Sequence, residues 1–110
     1  MKTYCLTLDL INDPELIREY EKYHQKIWPE IYTSIKNSGI EKMQIYRFSN
    51  RLFMRMEVSD SFSFENKAAM DQENERVQEW EKLMWKYQQA LPGAKPGEKW
   101  MLMNQIFELE

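Results

Sequence analysis

Apolar and polar residues alternate at the start of the chain. Four apolar side chains share one parity: Tyr4, Leu6, Leu8 and Leu10. This spacing of two predicts a strand over Thr3 to Leu10 with one buried face. Asp13 and Pro14 follow, and they favour a helix start with Asp13 as the N-cap and Pro14 at the first helical position.

The spacing then changes to that of an amphipathic helix. Its apolar side is formed by Leu16, Ile17, Tyr20 and Ile27, and His24 lies on the same side. Pro29 interrupts this helix because proline lacks an amide hydrogen and disfavours helical geometry at the residue before it. A second helical piece is predicted to begin at Pro29 and end near Ser38, with Gly39 as the C′ residue.

The middle of the chain contains two more strand-like runs, over residues 41–48 and 51–58, which are joined at Ser49-Asn50. A helical stretch follows to about Leu91, with a possible break around Met70-Asp71. Its apolar stripe has three- and four-residue spacing and consists of Val77, Trp80, Met84 and Tyr87. Residues 92–97 have the composition of a loop, and Lys99 to Leu109 is predicted to be a closing strand.

The predicted order is β-α-β-β-α-β, which is the pattern of the ferredoxin-like fold in the α+β class. The sheet is expected to be antiparallel in part, with both helices on one face. A length of 110 residues suits one domain over residues 1–110.

The closing strand has apolar residues on both of its faces. Trp100, Leu102 and Ile106 share one parity, and four further residues share the other: Met101, Met103, Phe107 and Leu109. Because helices cover only one face of such a sheet, a second copy of the chain is the simplest cover for the other face. The pattern therefore predicts a homodimer.

Composition narrows the classes of partner and compartment. The formal net charge of −3 gives no basic surface for nucleic acid or for an acidic membrane. No apolar run approaches the ~20 residues that cross a bilayer. Cys5 is the single cysteine, so an internal disulfide is excluded, and the N-terminus lacks the apolar run of a signal peptide. We expect a cytoplasmic protein with no nucleic-acid or membrane partner.

His24, the single histidine of the chain, is the candidate for acid/base chemistry. Tyr20, His24 and Trp28 are spaced by four, so they share one helix face if the helix continues to Trp28. The aromatic side chains could form a surface for the apolar face of a sugar. The alternative is that His24 is a partly buried structural residue and that the aromatic residues, including Trp80, are core.

Other chemistries find less support in the sequence. Metal binding would need ligands beyond His24 and the distant Cys5, and no metal-ligand spacing is present. No glycine-rich phosphate loop occurs among the three glycines, so no nucleotide cofactor is expected. One run of carboxylates is most simply a solvated helix surface: Asp71, Glu73, Glu75 and Glu79.

The segment from Tyr20 to Glu30 resembles the Y-x-x-x-H-x-x-I-W-P-E motif of L-rhamnose mutarotases. Further similarities extend over nearly the whole chain: the Gly39 turn, Ile45-Tyr46, Leu52-Phe53, Gln78-Glu79-Trp80 and Ile106-Phe107. The resemblance implies a dimeric α/β-barrel of ferredoxin-like subunits and a cofactor-free isomerase that interconverts sugar anomers. It also implies that His24 is the catalytic acid/base residue and that Tyr20 and Trp80 contact the sugar.

Two positions depart from the rhamnose-specific pattern of this family. Met43 stands where those members have a tyrosine, and Glu81 stands where they have a second tryptophan. A gained or lost polar partner discriminates between hydroxyl epimers, and the chain also resembles a branch associated with L-fucose. The substrate is therefore expected to be L-rhamnose, L-fucose or another 6-deoxy-sugar. The alternatives are a non-catalytic sugar-binding or regulatory module and a cofactor-independent monooxygenase on the same fold.

Overall fold

A computed structural model describes residues 2–96 and 98–110 of the chain. It contains nine elements, which are β1 (Lys2–Leu10), α1 (Pro14–Gln25), α2 (Pro29–Asn37), β2 (Ile40–Phe48), β3 (Arg51–Val58), α3 (Phe64–Glu73), α4 (Glu75–Trp85), β4 (Gln88–Gln89) and β5 (Met101–Leu102). None of the helices in these two ranges is long and apolar enough to cross a membrane.

The strands form one sheet in the order β2-β3-β1-β4, and β5 also pairs with β1. All of these pairings are antiparallel. The order confirms the predicted ferredoxin-like topology, in which β1 and β3 occupy the centre. The expectation of a sheet that is antiparallel only in part was too cautious, because β3 separates β1 from β2 and runs opposite to both.

One face of the sheet is buried under the helices. The predicted alternation of β1 is confirmed, since Leu6, Leu8 and Leu10 are at most 8% exposed. The same is true of β3, where Met54, Met56 and Val58 are buried. The core consists of two clusters, one around Leu10 and Tyr20 and the other around Leu6 and Met54. The alternation of the two central strands therefore places the core between the sheet and the helices.

The first helical segment is divided as its proline predicts. Asp13 caps α1, because its side chain accepts hydrogen bonds from the amides of Glu15 and Leu16 at 2.9 and 3.2 Å. α1 ends at Gln25, so it does not continue to Trp28. Trp28 has extended backbone angles, as expected of a residue before proline, and α2 begins at Pro29.

The predicted helix to Leu91 was wrong in its break and in its end. The break lies at Asn74, whose side chain caps α4 by accepting from the amides of Arg76 and Val77. α4 ends at Trp85, and Gln88–Gln89 is a strand that pairs with β1. The chain leaves the helix here because the edge of β1 offers hydrogen-bonding partners that a helical continuation would leave unpaired.

The predicted closing strand over Lys99 to Leu109 was also wrong in length. Only Met101–Leu102 is a strand, and residues 103–110 have neither helix nor strand. β4 and β5 pair with successive parts of β1, so the fourth strand position is interrupted by residues 90–100. The predicted loop at 92–97 lies within this interruption, and its Gly97 is outside the described residues.

Candidate functional site

A cavity of about 410 Å³ lies between the sheet and the helices. The three side chains that the sequence singled out, Tyr20, His24 and Trp80, all line it. They come from two elements, α1 and α4, whose apolar sides pack in one core cluster. The fold thus brings the predicted residues to one concave surface, although residues 20 and 80 are far apart in the sequence.

Within the described residues, His24 forms one hydrogen bond, through Nδ1, and its Nε2 has no partner. Its Nδ1 lies 2.8 Å from the backbone oxygen of Tyr20. A carbonyl oxygen can only accept, so Nδ1 carries the proton and the Nε2 of the neutral ring keeps its lone pair. Burial lowers the pKa of His24, and the bond to the Tyr20 carbonyl opposes this effect in part. The imidazole is therefore neutral at pH 7 and able to accept a proton.

Tyr20 is a neutral phenol beside His24. It is 3% exposed, and burial raises the pKa of its hydroxyl, while the hydrogen bond with Gln88 lowers it in part. The Nε2 of Gln88 donates to the Tyr20 oxygen at 3.4 Å. Because the oxygen accepts this bond, its own proton is left to be donated to another group. The Tyr20 and His24 ring centroids are 4.4 Å apart, so a hydroxyl donor and an imidazole acceptor are adjacent.

Trp80 forms an aromatic wall of the cavity. Its ring meets His24 edge to face, with the ring centroids 5.6 Å apart. Trp28, which was predicted to share the face of His24, packs against Trp80 instead, at 5.1 Å between centroids. The Arg76 guanidinium lies 4.2 Å from the centre of the Trp28 ring. Trp28 and Arg76 therefore support Trp80.

Several polar residues of the cavity were missed by sequence reasoning. Asp71, assigned to a solvated helix surface, is only 8% exposed and lines the cavity together with Lys67. Gln88 was assigned to a helix, but it lies on β4 and faces the same cavity. Lys99 also contributes, and burial lowers the pKa of its ammonium group, while the charge of Glu81 raises it in part. No local pattern marks these residues, because tertiary packing alone buries them.

The rest of the lining is mainly apolar. One group of these side chains belongs to the second core cluster or packs against it: Leu6, Ile40, Met43, Met54 and Met56. The cavity thus combines an acid/base group, hydroxyl-binding groups and an apolar region. Such a combination suits a small molecule that has both hydroxyl groups and an apolar substituent.

A second cavity, of about 370 Å³, adjoins the first. Tyr20, His24 and Ile45 line both cavities, and Glu21 and Arg47, which form an ion pair, line the second. His24 is thus accessible from two sides. Among residues 2–96 and 98–110, no group of three histidine, cysteine, aspartate or glutamate side chains is arranged to hold a metal ion.

Comparison with known proteins identifies the family. The sequence profile of L-rhamnose mutarotase matches residues 3–109. The chain belongs to the L-rhamnose mutarotase family. The family's fold agrees with that of this chain, since the crystal structure of an L-rhamnose mutarotase from Formosa agariphila is similar with a TM-score of 0.72. That similarity covers 100% of both chains at 21% identity, so it supports the fold alone.

Relatives of this mutarotase-family chain include proteins named for two sugars. An L-fucose mutarotase from Xanthomonas campestris pv. campestris is 43% identical over 99% of this chain and 89% of its own length. An L-rhamnose mutarotase from Shigella flexneri is 29% identical over 76% of this chain and 75% of its own length. Met43 and Glu81, the two departures from the rhamnose-specific pattern, both line the larger cavity.

Proposed function

We propose that this chain is a sugar mutarotase, an isomerase that interconverts the α and β anomers of a 6-deoxy-hexose. The observation that carries the proposal is the neutral imidazole of His24, whose Nε2 has no partner in the described ranges, in a cavity next to the Tyr20 hydroxyl. Membership of the L-rhamnose mutarotase family supports it. A volume of about 410 Å³ also lies within the usual range for small-molecule sites, ~300–1000 Å³.

The proposed reaction needs only proton transfers. The His24 Nε2 removes the proton of the anomeric hydroxyl, and the ring oxygen receives a proton from the Tyr20 hydroxyl or from a bound water as the C1–O5 bond breaks. The open-chain aldehyde rotates about C1–C2. Ring closure on the other carbonyl face reverses both proton transfers and returns His24 and its partner to their starting states.

We propose L-fucose as the preferred sugar, with L-rhamnose as the alternative. The two sugars share the 6-methyl group and differ in configuration at C2 and C4. The relative with 43% identity is an L-fucose mutarotase, which supports the first choice. Met43 removes a hydroxyl and Glu81 supplies a hydrogen-bond acceptor relative to the rhamnose-specific pattern, and both changes alter how a site reads hydroxyl configuration.

We further propose a homodimer in the cytoplasm. Apolar side chains near the C-terminus are exposed, and Ile106 (96%), Phe107 (75%) and Leu109 (85%) expose the most. A second copy of the chain that covers them would form the dimeric α/β-barrel that the resemblance implies. The single Cys5, which lacks a partner for an internal disulfide, supports a reducing compartment.

Saturation-transfer NMR of anomer exchange tests the activity directly. The purified protein is given L-fucose and L-rhamnose separately, and we expect faster exchange with at least one of them. His24→Ala should lose on the order of 10² to 10⁴ in rate, because one proton-transfer group is removed. Lys22→Ala, on the exposed side of the same helix, is the matched control and should keep the wild-type rate.

The outcome also separates the alternative functions. Sugar binding without any acceleration, with a His24→Ala effect on affinity alone, would favour a binding module. Oxygen consumption with an aromatic substrate would favour a monooxygenase. Circular dichroism of each variant establishes that a lost rate does not reflect a lost fold.

A further inference from the structure

Two residues that line the larger cavity, Asp71 and Gln88, each have a buried acceptor oxygen without a hydrogen-bond partner among the described residues. We propose that the Asp71 Oδ1 and the Gln88 Oε1 accept hydrogen bonds from two ring hydroxyls of the sugar, and that these residues determine its specificity. The inference rests on the proposed mutarotase function, since it concerns how the same cavity holds its substrate.

Asp71 is held in place through one of its two carboxylate oxygens and its backbone oxygen. It lies in α3 and is 8% exposed. Its Oδ2 accepts from the Lys67 Nζ at 2.5 Å, and its backbone oxygen accepts from the Gln78 Nε2 at 2.8 Å. Within the described part of the chain, its Oδ1 is buried and has no hydrogen-bond partner. Asp71 and Lys67 both line the cavity, so this carboxylate belongs to the wall of the space in which a ligand would bind.

Gln88 presents the same feature from another element. It is 8% exposed on β4, whose pairing with Leu10 of β1 fixes its backbone. Its Nε2 donates to the Tyr20 hydroxyl at 3.4 Å. Its Oε1 is buried and has no partner among residues 2–96 and 98–110. Gln88 also lines the cavity.

Buried acceptors without partners are uncommon in folded proteins, because each loses its hydrogen bonds to water without a replacement. A sugar hydroxyl supplies the missing donor. We assign a different hydroxyl of one ring to each acceptor, Asp71 on α3 and Gln88 on β4. A sugar that lacks one of these hydroxyls, or carries it in the other configuration, leaves an acceptor unpaired and binds its transition state less well.

The alternative is that both residues are purely structural. Asp71 would then only form an ion pair with Lys67, and Gln88 would only orient Tyr20. A structural role predicts that a substitution slows every sugar equally. Hydroxyl recognition predicts a loss that depends on one particular hydroxyl of the substrate.

Substitution of each residue, combined with deoxy-sugars, separates these roles. In Asp71→Asn the amide oxygen is expected to accept from the Lys67 ammonium, so that the amide NH2 group replaces the free acceptor oxygen. Asp71→Asn and Gln88→Met are compared with the wild type by NMR anomer exchange on L-fucose and on its 2-deoxy, 3-deoxy and 4-deoxy analogues. On L-fucose we expect kcat/KM to fall on the order of 10- to 100-fold for each variant. Glu73→Gln and Gln89→Met, exposed positions on the same two elements, are the matched controls and should be unchanged.

For each variant, the loss in kcat/KM relative to the wild type should largely disappear on one deoxy analogue, namely the analogue that lacks the hydroxyl bound by the substituted residue. This analogue should be a different one for Asp71 and for Gln88. Equal losses on all four sugars, or no loss on any, would overturn the inference while leaving the mutarotase proposal intact. A wild-type protein that accelerates neither L-fucose nor L-rhamnose would instead reject the proposed function.

A second variant keeps the test decisive if Asp71→Asn does not fold. The double substitution Lys67→Met with Asp71→Leu replaces the ion pair by apolar side chains of similar size, which proteins often tolerate without loss of stability. It also removes the acceptor oxygen, so it should show the same analogue-dependent loss as Asp71→Asn.

Discussion

At the scale of single residues, the protonation of His24 sets the conditions under which the site works. Burial lowers the pKa of His24 from its ordinary value of 6.5, and the Tyr20 carbonyl opposes this in part. The neutral ring, which can act as a base, therefore persists to a lower pH than in a free histidine. We predict that kcat/KM for anomer exchange falls as the pH decreases, with a midpoint below 6.5.

The measurement is the enzyme-dependent exchange rate between pH 4.5 and 8, after subtraction of the uncatalysed rate at each pH. A midpoint above 6.5 would contradict this assignment, because it would require that the charged imidazole is stabilised in the site.

The free energy of unfolding is also expected to decrease as the pH falls. The unfolded chain binds a proton at His24 more readily, so this residue makes the fold less stable as the pH falls below 6.5.

At the scale of elements, local signals predicted the chain as far as β3 and failed at the break and the end of the last helical stretch and at the length of the closing strand. The Asp13 cap, Pro29 and the alternation of β1 act within a few residues of sequence, and each is confirmed. Gln88 lies in a strand because it pairs with Leu10, which is far away in the chain, and no local pattern indicates this pairing. The closing strand failed because its apolar residues resemble a strand whether or not a partner strand is present in the same chain.

The same distinction applies to the site. A local motif around His24 and Tyr20 was sufficient to place both in a candidate site, and the structure brings them to one cavity with Trp80. Asp71 was misjudged because an acidic residue on a helix is usually solvated, and only the packing of α3 in the tertiary structure buries it. The polar residues that would recognise the substrate hydroxyls are thus the residues of the site that the sequence did not predict.

The end of α2 provides a prediction at this scale. Gly39 has a φ of +100°, and a Cβ at this position would lie 2.9 Å from the Ser59 Oγ. Gly93 has a similar φ of +89°, but a Cβ there would meet no atom of residues 2–96 and 98–110 within 4 Å. We predict that Gly39→Ala lowers the free energy of unfolding by roughly 2–3 kcal/mol and Gly93→Ala by about 1 kcal/mol. Urea unfolding of both variants measures the difference.

Because both glycines have positive φ, the two variants share the backbone strain and differ in the contact with Ser59. Equal losses would indicate that the Ser59 side chain moves away at little cost. A larger loss of unfolding free energy for Gly39→Ala would support a tightly packed turn between α2 and β2.

At the scale of the whole molecule, the exposed apolar side chains near the C-terminus require an explanation. Ile106 is 96% exposed and Phe107 is 75% exposed, although both are large apolar residues in a stretch that does not pair with the sheet of its own chain. Single exposed apolar side chains are common, but several in one short segment indicate an interaction surface. The proposed occupant is a second copy, because the sheet face opposite the helices also has exposed aromatic residues at Tyr46 and Phe48.

We predict that the protein sediments at twice the mass of a single chain and that Phe107→Glu shifts it to the monomer, since a charge on this surface opposes burial. Glu108→Gln, an exposed neighbour, is the control and should remain dimeric. Sedimentation velocity over a range of concentrations decides between the states, and a wild-type protein that stays monomeric throughout would contradict the prediction.

Anomer exchange by the monomeric variant then shows whether the partner chain contributes to the site. A retained rate would mean that one chain holds a complete cavity, whereas a lost rate in a folded monomer would mean that the partner closes it.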